Sequence, residues 1–153
     1  GYQTINTIFI VFRPFDVSSE KNILDAYSAD KRISITSTQV GLYHTTSTYY
    51  TATSSNSASF GAGNNYIISV YFNNASSKAY ANDAITTAGN AMLTSFPTIG
   101  NTAGLVVGGT ASAASFKGLI SEIILFNRPL QTEERKGVMR YLARKYNISI
   151  TGI

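Results

Sequence analysis

No cysteine occurs anywhere in the 153 residues, which excludes a disulfide framework, a thiolate metal centre and Cys-based redox chemistry. Stability must therefore come from packing. Histidine is nearly absent too: His44 is the only one, and no G-x-S-x-G elbow accompanies it, so a Ser–His–Asp triad is not expected. No apolar run reaches the length that spans a bilayer, and no signal peptide opens the chain. Gly1 directly precedes a strand, which reads as a leader or upstream region already removed. Charged residues make up only 13% of the chain, about half the usual share. Polarity comes instead from Ser, Thr, Asn and Gly, a composition that suits the solvent-facing positions of extracellular β-proteins.

The net charge of +4 rests largely on one stretch holding Arg135, Lys136, Arg140, Arg144 and Lys145. A basic face interleaved with aromatics, or a nucleic-acid-binding motif, is missing, so no nucleic-acid partner is expected. The stretch reads as the solvated face of a helix.

Period-2 alternation dominates the remainder. Residues 6–13 (NTIFIVFR) form an almost continuous β-branched and aromatic run, the pattern of a strand buried on both faces. Short strands follow at 22–27, 32–36 and 40–43, then one near 49–53 inside a Thr/Ser-rich stretch spanning 44–59. Residues 66–73 (YIISVYFN) and 78–82 (KAYAN) read as a hairpin, with 84–87 after it. Residues 88–103 read as loop, 105–108 as a short strand, and 116–127 (FKGLISEIILFN) as the longest strand, apolar on both faces and so expected at a sheet centre. After Pro129 the period changes. Gln131 or Thr132 can cap a helix over 131–147, with Glu133 and Glu134 in its first turn and an apolar stripe of Val138, Tyr141, Leu142 and Tyr146. Many strands and one amphipathic C-terminal helix make an all-β, two-sheet antiparallel β-sandwich or jelly roll, with 1–153 a single domain.

The tail carries a family likeness. Phe116, Gly118, Ile120, Glu122 and Ile123, then Asn127, Arg128 and Leu130, then Tyr141, Leu142, Lys145 and Tyr146 resemble the ending of laminin G-like, concanavalin A-like jelly-roll domains. The hairpin SVYFNNASSKAYAND resembles that family's strand-turn-strand, with Asp83 where a glycine is usual, and TIFIVFRP resembles its strand of the form T-x-F-x-V-F-x-P. Family members usually carry one or two further strands upstream. The resemblance therefore implies an open edge beside the strand at Thr7 to Phe12, to be covered by other copies or other structural proteins of a particle. It also implies a domain of the kind found in phage and bacterial surface proteins, extracellular or on a virion.

Candidate sites divide by chemistry. A retaining glycosidase needs two carboxylates about 5 Å apart, and no E-x-D-x-x-E cluster exists, so no enzymatic activity is expected. Glu122 reads as a structural carboxylate pairing with Arg13 or Arg128. Calcium needs converging oxygens. Asp16, Glu20, Asp25, Asp30 and Asp83 are scattered, so no cofactor is expected, with a bound calcium the alternative left open. Sugar binding needs an aromatic platform and amides for hydroxyls. Tyr43, His44, Tyr49, Tyr50, Asn64 and Asn65 are the candidates. The functional expectation is a non-enzymatic surface module of a virion or extracellular assembly, for decoration or attachment to glycans or cells. The alternative is a carbohydrate-binding module of a secreted glycoside hydrolase.

Overall fold

A computed structural model describes residues 3–26, 31–45, 48–53, 60–71, 78–82, 84–88, 96–99, 105–109 and 114–150, with the backbone alone described at some strand positions, among them 42–45 and 48–53. Within these residues the strands are β1 (Gln3–Ile5), β2 (Thr7–Pro14), β3 (Lys21–Ala26), β4 (Lys31–Ile35), β5 (Gln39–Thr45), β6 (Thr48–Thr53), β7 (Tyr66–Tyr71), β8 (Lys78–Ala81), β9 (Ala84–Ala88), β10 (Phe96–Ile99), β11 (Leu105–Val107) and β12 (Gly118–Phe126). One helix, α1 (Thr132–Tyr146), follows them. β1 and β10 pair with each other, so part of the 88–103 stretch expected to be loop is strand. The other ten strands form one hydrogen-bonded order, β11-β3-β4-β5-β6-β9-β8-β7-β2-β12.

That order folds over on itself into two layers. Ile8, Ile10 and Phe12 of β2, with Ile68 and Val70 of β7, meet Ile23, Leu24, Ile33, Ile35 and Val40 of β3, β4 and β5 in a single core. β9 makes the corner: Ala84, Ile85 and Thr86 pair with β8, whereas Thr87 and Ala88 pair with β6. The expected two-sheet antiparallel sandwich is present. Phe12 anchors its aromatic centre, with the rings of Phe60, Tyr66 and Phe116 each within 6 Å.

β2 explains its uninterrupted apolar run. Its even-numbered residues enter the sandwich, while Phe9 and Val11 turn outward under α1. Each such side chain contributes on the order of 1.5–3 kcal/mol by burial. α1 starts at Gln131, whose backbone N–H donates to Glu134 Oε2 at 2.9 Å, and ends at Asn147 in the left-handed conformation (φ 51°). Its inward face differs from the expected stripe. Arg135, Met139, Leu142 and Ala143 are buried and Val138 and Tyr146 half-buried, while Tyr141 is 52% exposed. Arg135 thus leaves the solvated basic face: its guanidinium stacks 3.7 Å from the centroid of the Tyr80 ring. Lys136 and Arg140 reach Glu133 on the outer face, at 3.8 and 3.7 Å.

Two further expectations are corrected, and one feature is new. The strand at Thr7 to Phe12 is not an open edge, because β12 pairs with one side of β2 and β7 with the other. It therefore offers no N-terminal sheet edge to other copies or particle proteins. β12 is the terminal strand, not a central one; its apolar character serves packing on both faces, with Leu119 53% and Leu125 37% exposed. Finally, a bulge between Ile120 and Glu122 shifts the β12 register. Ile120 therefore packs into the sandwich with Ile123, whereas Ile124 and Phe126 pack on the helix side. The glycine of the F-x-G motif begins this strand for a steric reason: a Cβ on Gly118 would collide with the carbonyl oxygen of Arg13 and lie 2.7 Å from the Phe116 ring.

Candidate functional site

Glu122 and Arg128 hold the helix to the sheet, with partners other than those expected. Lys145 Nζ donates to Glu122 Oε2 at 3.1 Å, and that bond raises the Lys145 pKa. Arg128 makes two parallel bonds to Glu134, at 2.8 and 2.7 Å. These bonds, with the N–H of Gln131, pull the Glu134 pKa down to about 2. The Lys145–Glu122 pair forms because α1 packs over the layer of β12, β2 and β7, whereas the Arg128–Glu134 pair is local, closing the loop onto the first turn of the helix. A recess between the β7–β8 hairpin and the start of α1 is lined by Tyr71, Lys78, Tyr80 and Arg135, and belongs to the same helix docking.

The other layer presents a different chemistry. β4 reads Lys-Arg-Ile-Ser-Ile, so Ile33 and Ile35 enter the core while Arg32 and Ser34 lie on the face away from it. Register brings Asp25 opposite Arg32 and Asn22 opposite Ser34. A bulge between Asn22 and Leu24 allows Ile23 and Leu24 both to join the core without moving the two polar residues off this face. Asn22 and Asp25 are 2% exposed and Ser34 is fully buried. Nevertheless Asn22 Oδ1, Asp25 Oδ1, Ser34 Oγ and Glu20 Oε1 have no hydrogen-bond partner among the described residues, and at the Nε donor of Arg32, whose guanidinium is engaged elsewhere, the same holds. Arg32 Nε lies 3.9 Å from Glu20 Oε1, an ion pair too long for a hydrogen bond. Burial raises the Asp25 pKa, against the pull of the Arg32 charge. A buried polar atom left unmatched costs about 1–3 kcal/mol.

The row continues across the layer. Ser34 pairs with Gly41, Gly41 with Thr51, and Tyr43 with Tyr49, which puts positions 43 and 49 on the face shared by Arg32 and Ser34. The result is a sheet face carrying an acid, a base, an amide and a hydroxyl, with two tyrosine positions beside them.

No family model matches the chain, and no curated protein sequence matches it. Solved structures do. A CBM40 of the Ruminococcus gnavus IT-sialidase, bound to α2,3-sialyllactose, superposes with a TM-score of 0.68 at 16% identity, over 90% of this chain and 83% of that one. The heptameric SAP-like pentraxin of Limulus polyphemus gives 0.67 at 14%, over 90% and 72%. Domain 4 of AbnA, an extracellular GH43 arabinanase of Geobacillus stearothermophilus in complex with arabinotriose, gives 0.66 at 16%, over 91% and 68%. The fold is concanavalin A-like.

Within this concanavalin A-like sandwich the six candidate sugar contacts do not form one group. Tyr43 and Tyr49 are cross-strand partners on the polar face, and His44 falls at the register irregularity between Tyr43 and Thr45. Position 50 pairs with Leu42, which pairs with core residue Ile33, so Tyr50 belongs to the opposite face. Asn64 and Asn65 are exposed in the segment before β7. That segment is tied to Pro14 by the Gly63 N–H at 2.7 Å and to the Ser37 turn by the Phe60 N–H at 2.8 Å. Tyr43 and Tyr49 lie toward the other end of β5. Asn22, Arg32 and Ser34 look ordinary alone, and Asp25 stands in the sequence only as one of the scattered acids. The available signal was the polar half of the R-I-S-I alternation, read against its hairpin partner. Asp16 is taken up locally: hydrogen bonds from Ser18 hold its pKa low, and Lys21 Nζ lies 3.0 Å away. Asp30 and Asp83 lie outside the described residues. No group of three or more His, Asp or Glu stands close enough to hold a metal among the described residues, nor is any helix there long and apolar enough to cross a membrane.

Proposed function

We propose that the chain is a non-catalytic glycan-binding module whose site is the β3–β6 face. The observation that carries this reading is the buried row of Asn22, Asp25 and Ser34 with unmet hydrogen bonds, set beside the Tyr43 and Tyr49 positions. Sugars supply what the row lacks: many hydroxyls to hydrogen-bond and apolar ring faces for tyrosine. The similar folds from R. gnavus and Geobacillus, each with an oligosaccharide bound, support the same reading. A glycan array probed with the whole chain tests it. Selective retention on one glycan class is expected; uniform blankness across the array sinks the proposal.

Two settings suit such a module: the surface of a virion or extracellular assembly, where it would serve attachment, and a secreted glycoside hydrolase that it would carry to substrate. The second is favoured by the two similar domains that come from a sialidase and an arabinanase. A glycoside hydrolase domain in the same reading frame would decide for it; neighbouring genes for particle proteins would decide for the first.

A further inference from the structure

On the helix side of the sandwich, the recess beside the β7–β8 hairpin does more than seat α1. The ladder pairs Tyr71 with Lys78 and Ser69 with Tyr80, so Tyr71, Lys78 and Tyr80 stand on one face. Ser69 also pairs with Phe9, which packs under the helix, so this is the face that α1 covers. Between it and the first turn of α1 remains a recess of about 360 Å³, lined also by Gln131, Thr132 and Arg135. Small-ligand sites span roughly 300–1,000 Å³.

Charge decides what the recess suits. Lys78 and Arg135 are cations, and no acid lines it among the described residues. The acids of the first helical turn are engaged elsewhere: Glu133 by Lys136 and Arg140, Glu134 by two bonds from Arg128. Lys78 is exposed and makes no hydrogen bond or ion pair among the described residues. Arg135 is 5% exposed, and the Tyr80 ring 3.7 Å away fixes its guanidinium plane before any ligand arrives. Tyr71, Tyr80, Thr132 and Gln131 add two phenols, a hydroxyl and an amide, which can donate to and accept from sugar hydroxyls.

We infer that this recess is a second binding site, and that it takes a sugar residue carrying a carboxylate. The acid meets Lys78 and Arg135, and the ring hydroxyls meet the phenols, Thr132 and Gln131. A bare inorganic anion would use the cations alone. A nucleic-acid strand needs a row of cations tracking its phosphates, and one recess with two does not supply it. The site lies across the sandwich from the β3–β6 face, so the two stand or fall separately.

The test is an NMR titration of the isotope-labelled whole chain with methyl glucuronide and methyl galacturonide. Methyl glucoside, methyl galactoside, sodium sulfate and a short single-stranded oligonucleotide are the comparisons. Lys78→Glu, at an exposed position, is titrated in parallel, with Tm recorded as a check on folding. The uronides should shift the amide signals of Lys78, Tyr80 and Arg135 and bind at least about tenfold more tightly than the neutral glycosides. Lys78→Glu should weaken uronide binding about fivefold. Neutral glycosides binding as well as uronides overturns the charge selection. Sulfate matching the uronides in shifts and affinity overturns the sugar assignment, and tighter binding of the oligonucleotide overturns the ligand class. Uronide binding unchanged in Lys78→Glu overturns the location. Shifts confined to the other face, at residues such as Asn22 and Ser34, overturn this site and leave the glycan reading of that face standing. No shift from any uronide overturns this site, while retention on a glycan array still upholds the other.

Discussion

Asp25 stands directly across the β3–β4 ladder from Arg32, yet its Oδ1 accepts no hydrogen bond among the described residues. A residue so placed weakens the fold. Its raised pKa sets the sign. The folded chain holds the Asp25 proton more tightly than the unfolded chain, so the Asp25 contribution is most favourable below the ordinary carboxylate pKa and is lost as pH rises through the raised value. Asp25→Asn should therefore match the wild type in Tm near pH 3 and exceed it near pH 7. Calorimetric scans across that range check this; a variant less stable at pH 7 than the wild type would show that Asp25 has a structural partner.

Glu134 behaves oppositely. Its pKa of about 2 lies below the ordinary 4.5, so its stabilisation is complete above the ordinary value and disappears as pH falls toward 2. The Tm gap between wild type and Glu134→Gln should be constant from pH 6 to 8 and close in acid. It should also be small, since the Arg128 pair is exposed to solvent. A gap that widens in acid would contradict the assignment.

The helix face can be tested by contrast. Leu142 is fully buried in the cluster containing Phe9, Val11 and Ile67, whereas Tyr141 is half exposed. Leu142→Ala should cost about 2–5 kcal/mol in urea denaturation. Tyr141→Ala should change stability by less than about 0.5 kcal/mol. Equal losses would restore the stripe expected from the sequence.

Gly118→Ala should be among the least tolerated substitutions. The added methyl meets backbone, the Arg13 carbonyl, which cannot swing away as a side chain can. We expect a loss of several kcal/mol or no soluble protein, read by expression and circular dichroism. By comparison, Gly137→Ala on the helix meets nothing within 4 Å and should stabilise by about 0.5–1 kcal/mol.

Much of the architecture was legible because it depends on local patterns. The unbroken run of β2, the hairpin of β7 and β8, and the period change after Pro129 each specify an element and its buried faces. What stayed hidden depends on neighbours. An edge strand packed on both faces, such as β12, has the same composition as a central one. The bulge after Ile120 shifts faces within a strand whose apolar letters fall on both sides and so give no sign of it. The site was half legible for the same reason. Tyr43 and Tyr49 drew notice as aromatics, but Asp25 acquires meaning only when the hairpin sets it opposite Arg32 and the surrounding chain shuts out water.

α1 covers the outer surface of the layer built on β2 and β7, and the polar row lies on the far side of the other layer. The molecule therefore has a back and a front. A chain captured on a sensor chip through lysines of the helix, such as Lys136, would present its front to the flowing sample. The same polarity makes the helix side the one at which tethering leaves the opposite face uncovered.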